Sequence, residues 1–182
     1  MTWFTYVFPC LLEDHCKVGF SRDPLVRIAQ LHQRWFEFFD LDGGMLVETE
    51  TEREARDLEL ALRRPLVLHK APQPLAIRRA AGGHTEWLRG ASECLHEDVA
   101  RLQADGHIVH APLRSWMRHA LGTHSDLLYD WASAQLSPDE LECRITGTTA
   151  QRVARDMLDA HVALGIGLDA LLPPSVLDWY RR

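Results

Sequence analysis

Residues 3–24 read WFTYVFPCLLEDHCKVGFSRDP, and this stretch decides the fold. Trp3 to Leu12 is rich in aromatic and β-branched side chains, Glu13-Asp14-His15 is polar, and Cys16 to Phe20 is a second short apolar run. Two such runs around a short polar turn predict an N-terminal β-hairpin. Ser21-Arg22-Asp23-Pro24 then supplies a capping side chain just ahead of a proline in the first helical turn. Leu25, Ile28, Leu31 and Trp35 follow at spacings near 3.6, which predicts a helix to about Phe36. On the hairpin, alternation puts Tyr6 and Phe8 on one face of the first strand, with Lys17 and Gly19 on the adjoining one.

Outward from the hairpin, the Asp42-Gly43-Gly44 turn leads into a third strand, Met45 to Glu48. Thr49-Glu50-Thr51-Glu52 opens a helix with acidic residues at its positive end, and Ala55, Leu58, Leu62 and Leu66 give it an apolar stripe. Residues 68–83 hold Pro72, Pro74, Gly82 and Gly83 and read as a long exposed loop of the kind that carries function. A helix from about Ser92 to Ala104 follows. Beyond Leu113 the pattern is helical only, with segments near 113–121, 124–136, 148–164 and 174–181 between glycine and proline breaks. The expected fold class is therefore α/β in the α+β sense: a small three-stranded mixed or antiparallel sheet flanked by helices (1–112), with an all-α C-terminal extension (113–182).

Composition narrows the function classes. The 182 residues are 46% hydrophobic and 25% charged, enough for a packed core and unlike a disordered chain. The net charge is −6, with 13 basic against 17 acidic residues in 1–112 and 7 against 9 in 113–182. Neither half is a broadly basic nucleic-acid binder. The four cysteines, Cys10, Cys16, Cys94 and Cys143, include no C-x-x-C pair, so neither a zinc site nor a disulfide framework is expected, and a reducing, cytoplasmic setting is. No apolar run reaches membrane-spanning length, so no membrane partner is expected.

The chemistry-bearing residues lie around the hairpin. Arg27 falls one turn into the first helix, and Glu86 stands between Gly82-Gly83 and Trp87. Tyr, Lys, Arg and Glu on one surface suit phosphodiester chemistry. A carboxylate holds a divalent cation, guanidinium and ammonium groups offset phosphoryl charge, and a Tyr or Lys relays a proton. Tyr6-Val7-Phe8, Cys16 to Pro24, Arg27, Leu58-Glu59-Leu60-Ala61-Leu62 and Gly83-His84-Thr85-Glu86-Trp87-Leu88, in this order over roughly residues 3–104, resemble the GIY-YIG nuclease superfamily. The similarity is to the branch with a K-I-G second motif and a late T-E-W motif.

That resemblance implies a metal-dependent endonuclease that hydrolyses phosphodiester bonds in DNA. Tyr6, Lys17, Arg27 and Glu86 would be catalytic, with Glu86 holding Mg2+ or Mn2+. Gly19 would let substrate approach the strand closely, and Arg63, Arg78, Arg79 and His84 would contact it. Two positions depart from the family pattern. Either Tyr6 or Phe8 stands at the first-motif tyrosine, and Arg63 takes the place where many relatives carry a histidine. These departures motivate an alternative, a catalytically impaired module of the same fold that binds nucleic acid or a protein. In that case the stripe Leu113, Trp116, Met117 and Leu121 of the extension would serve a protein partner. A third reading makes the chain a toxin or defence nuclease, with the extension used for delivery.

Overall fold

The computed structural model describes residues 2–182. The hairpin forms from β1 (Trp3–Pro9) and β2 (His15–Ser21), antiparallel, with Tyr6 opposite Gly19 and Phe8 opposite Lys17. Helix α1 (Pro24–Leu31) begins where Asp23 accepts a hydrogen bond from the Val26 amide, the cap read from the sequence. It stops earlier than the apolar spacing predicts. His32 is extended, and Trp35 and Phe36 belong to a separate short turn of helix, α2 (Trp35–Phe38). Strand β3 (Met45–Thr49) pairs antiparallel with β1, and α3 (Glu52–Arg63) is capped by Thr51. After α3 come a 3-10 turn over Arg64–His69, the long loop with a second 3-10 turn at Arg79–Ala81, and β4 (Trp87–Arg89). Helix α4 (Ser92–Ala104) and the two-residue strand β5 (Val109–His110) complete this part.

The sheet corrects the three-stranded expectation. It has five antiparallel strands in the order β4-β2-β1-β3-β5. The two added strands are three and two residues long, too short to show an alternating pattern. The α+β class itself holds.

Each face of the sheet has its own cover. Val7, Cys16, Val18, Met45 and Val47 project to one side and pack with Leu62 within α3, Leu66 just after it, and Leu95 and Val99 of α4. Phe8, Lys17 and Trp87 form a cross-strand row on the other side, and Tyr6 stacks flat on Phe8, ring centroids 4.2 Å apart. Burial of a large aromatic on this scale contributes about 2 kcal/mol each, and it places the functional row on rigid strands rather than on loops.

Two compact units divide the chain between Trp116 and Met117, inside helix α5 (Leu113–Gly122). Within the first unit, Leu113 is fully buried against Gly44 and Trp116 packs edge-on against Phe4. Of the stripe expected to face a partner, Leu113 is thus interior to that unit and Trp116 half-buried. The second unit is all-helical: α6 (Leu128–Gln135), α7 (Pro138–Leu141), α8 (Thr149–Ala163) and α9 (Pro174–Arg181). Leu128, Leu136, Leu158, Leu172 and Trp179 are among its core. Capping boxes at Ser137/Glu140 and Thr148/Gln151 start α7 and α8. Among the described residues no helix is long and apolar enough to cross a membrane.

Candidate active site on the hairpin face

Lys17 is the centre of the site. Its side chain is wholly buried, and its ammonium donates to the carbonyl of Gly83 at 2.7 Å and to Oε2 of Glu86. Burial pushes its pKa down to about 8; the Glu86 carboxylate pulls the other way, and Arg27 and Arg63 add to the lowering. The residue that neutralises it sits 69 positions away in the chain, brought there by the pairing of β2 with β4 and by the amide of Val18 donating to the Glu86 carbonyl at 3.2 Å.

Tyr6 and Arg27 form the second pair. The Arg27 Nε donates to the Tyr6 hydroxyl at 3.3 Å. The geometry also separates the two candidates for the first-motif position. Phe8 is fully buried beneath Tyr6, whereas the Tyr6 hydroxyl reaches Arg27 and lies over Gly19. A Cβ at position 19 would meet the Tyr6 Cζ at 2.6 Å, so glycine here makes room for the tyrosine ring. Burial holds the Tyr6 phenol above its usual pKa, against the lowering effect of Arg27, with Glu86 and Glu59 adding to the rise.

A third element closes the site from the loop side. Arg27 Nη1 donates to the Ala81 carbonyl at 2.7 Å, Lys17 to that of Gly83, and Arg63 Nη2 to that of Thr85 at 3.1 Å. Three cations on α1, β2 and α3 thus hold alternate carbonyls of one short segment. Gly82 and Gly83 take φ values of +69° and +70°, the left-handed region that glycine enters at little cost. At Gly83 a Cβ would fall 2.5 Å from Glu86 Oε2 and 2.6 Å from the Lys17 ammonium, so any side chain there would displace the ion pair. Arg63 is itself paired with the buried Glu59 of α3.

The sequence singled out Tyr6, Lys17, Gly19, Arg27, Arg63 and Glu86; the structure gathers Tyr6, Lys17, Gly19, Arg27 and Glu86 at one face of the hairpin, and Arg63 reaches the Thr85 carbonyl from α3, which packs on the other side of the sheet. His84 is exposed on the loop, Arg78 extends toward Gln33 at 3.5 Å, and the side chain of Arg79 lies outside the described residues. Glu59 and the backbone acceptors of residues 81, 83 and 85 were not foreseen. Glu59 was visible inside the Leu58-Glu59-Leu60 motif, but backbone acceptors leave no residue-type signal.

Glu86 is 28% exposed, and among the described residues its Oε1 accepts no hydrogen bond. Among the described residues no three His, Cys, Asp or Glu side chains gather as a group able to hold a metal ion. A cation here would rest on one carboxylate oxygen and on water, the arrangement in which Mg2+ is ordinarily held with substrate phosphates. The residues present therefore fit a hydrated Mg2+ or Mn2+ at Glu86. No family model, curated protein or solved structure matches the chain.

Proposed function

We propose that the chain is a metal-dependent endonuclease of the GIY-YIG type, hydrolysing phosphodiester bonds in DNA through Tyr6, Lys17, Arg27 and Glu86. The observation that carries this reading is the convergence of the Lys17–Glu86 ion pair and the Arg27–Tyr6 hydrogen bond on one face of the hairpin. Mg2+ or Mn2+ held by Glu86 would supply the Lewis acid that polarises a phosphate oxygen.

The protein groups divide the remaining work. In hydrolysis the oxygen of water bonds to phosphorus while the bond to the leaving sugar oxygen breaks. One proton departs from the water and one goes to the leaving oxygen. Arg27 uses Nε on Tyr6 and Nη1 on Ala81 and Gln30, which orients the guanidinium and leaves Nη2 to bind a phosphate oxygen as negative charge builds. Lys17, with its pKa near 8, is the group able to give up and regain a proton near neutral pH. Tyr6, raised above the usual phenol range, stays protonated and donates its O–H.

The test is incubation of the purified chain with single- and double-stranded DNA and RNA, with Mg2+ or Mn2+ or with chelator, beside Glu86→Ala and Arg27→Ala. Cutting that needs metal and falls by at least about 100-fold in both variants is expected. Cutting that survives both substitutions overturns the assignment.

One observation favours the second reading, a module of the same fold that binds without cutting. Where relatives carry a histidine, Arg63 is locked to Glu59 and to the Thr85 carbonyl, so no imidazole is there to take a proton. Under that reading, oligonucleotide binding persists in Glu86→Ala and no substrate is turned over with either metal.

A further inference from the structure

The second unit holds a cavity of about 340 Å3 at the start of α8, lined by Gly147, Gln151, Arg152, Arg155, Trp179 and Arg182 among others. Its charge is one-sided. Three arginines and no Asp or Glu side chain line it, in a unit where Arg144 is neutralised by Asp139 and Glu142 and Arg181 by Asp169. Arg152, Arg155 and Arg182 form no ion pair among the described residues.

The two helical arginines are held in place without being used up. Three positions apart on α8, they share a face of the helix. Arg152 donates from Nη1 to the Gly147 carbonyl at 2.6 Å and from Nη2 to the Thr149 hydroxyl at 2.9 Å. Arg155 donates to the Tyr180 carbonyl at 3.1 Å and lies over the Trp179 ring, 4.9 Å from its centroid. Neutral acceptors fix each guanidinium and leave most of its donor fork open. Two guanidinium forks side by side carry two positive charges and suit an oxyanion that is itself multiply charged, such as a phosphate group.

We propose that this cavity is a binding site for a phosphate group, held by Arg152 and Arg155 with Arg182 closing the rim. It reads the phosphate and not a base, because Trp179 is 3% exposed and its face is already covered by Arg155, which leaves no stacking platform. The site belongs to the second unit, and the proposal does not depend on the activity proposed for the hairpin face.

The test uses the full 15N-labelled chain without divalent metal, titrated in turn with inorganic phosphate and with a short single-stranded deoxyoligonucleotide. Shifts of the Gly147 and Gln151 amides and the Trp179 indole N–H are followed by NMR. Arg152→Gln, at an exposed position, should weaken binding by at least about 10-fold, the worth of a charge-assisted hydrogen bond, with the fold retained. Arg155→Gln should do the same, and since it also bares Trp179, Arg152→Gln carries the decision. An oligonucleotide bound ten times tighter than inorganic phosphate assigns the group to a nucleic-acid backbone. Equal affinity assigns it to free phosphate or a simple ester. Signals at 147, 151 and 179 that stay unmoved by both probes, or undiminished binding in Arg152→Gln, would overturn the proposal.

Discussion

Lys17 is a cation held in a protein interior, and its cost can be read from the pH dependence of stability. Its folded pKa is about 8, against 10.5 for the unconstrained side chain. The folded state therefore binds fewer protons than the unfolded one between those values. The resulting penalty is fully present below pH 8 and is relieved as pH rises toward 10.5. The gap corresponds to about 3 kcal/mol at 1.36 kcal/mol per pH unit. Lys17→Met keeps the length and the packing on Trp87 while removing the charge. The substitution also takes from Glu86 and the Gly83 carbonyl their donor, a cost opposite in sign to the penalty it removes, so the test lies in how the difference between the two proteins changes with pH. Integrated from pH 8 to 9, the stability of the unsubstituted protein relative to the variant should rise by about 1 kcal/mol. Cys10 and Cys16, pushed up to about 12 by burial, make the folded state less stable as pH passes 9, but they do so in both proteins and cancel in the difference. Urea unfolding followed by tryptophan fluorescence at pH 7.0, 8.0 and 9.0 measures it. A stability difference that is flat across the series would show that Lys17 folds with an ordinary pKa, and the assignment of Lys17 as the proton-exchanging group would go with it.

Other perturbations have equally definite outcomes. Gly83→Ala should cost at least about 1–2 kcal/mol in chemical unfolding, from the positive φ alone, and more from the collision with Lys17 and Glu86; wild-type stability would refute the close approach. Tyr6→Phe should leave thermal stability within about 1 kcal/mol while lowering cleavage or substrate binding, because the lost hydroxyl frees Arg27 to rotate; a rise in activity would contradict the role given to it. Arg63→Gln should leave Glu59 buried without its cation and lower stability by about 3 kcal/mol; an unchanged unfolding midpoint would count against the pair. In the second unit, Leu158→Ala, at a fully buried position, should cost about 3–5 kcal/mol by calorimetry, and a smaller loss would mean that the helices collapse onto the void.

The hairpin was legible in the sequence because its signals are local: apolar alternation, a polar turn, and a cap followed by proline. The long helices of the extension were legible for the same reason, Thr148 and Pro174 marking starts that the structure keeps. What escaped were features made by distance. Strands β4 and β5 exist because longer neighbours offer them an edge, as Lys17 offers Trp87 its ladder partner. The break between α1 and α2 was hidden because Leu31 and Trp35 keep helical spacing across a segment that is not helical. At the site, Lys17 and Glu86 could be named from the family resemblance. Their mutual neutralisation, and the depression of the Lys17 pKa by burial, depend on a packing that no residue pattern encodes.

The grip of Arg27, Lys17 and Arg63 on the Ala81, Gly83 and Thr85 carbonyls has a consequence for how this protein can change. The handholds are main-chain oxygens, which every amino acid supplies alike. Positions 81, 84 and 85 can therefore drift in sequence without loosening the loop, while Gly83 and Glu86 cannot. A library randomised across 81–86 would keep Gly83 and Glu86, favour glycine at 82 for its positive φ, and scatter at 81, 84 and 85, so new surface chemistry beside the site can be tried without dismantling it.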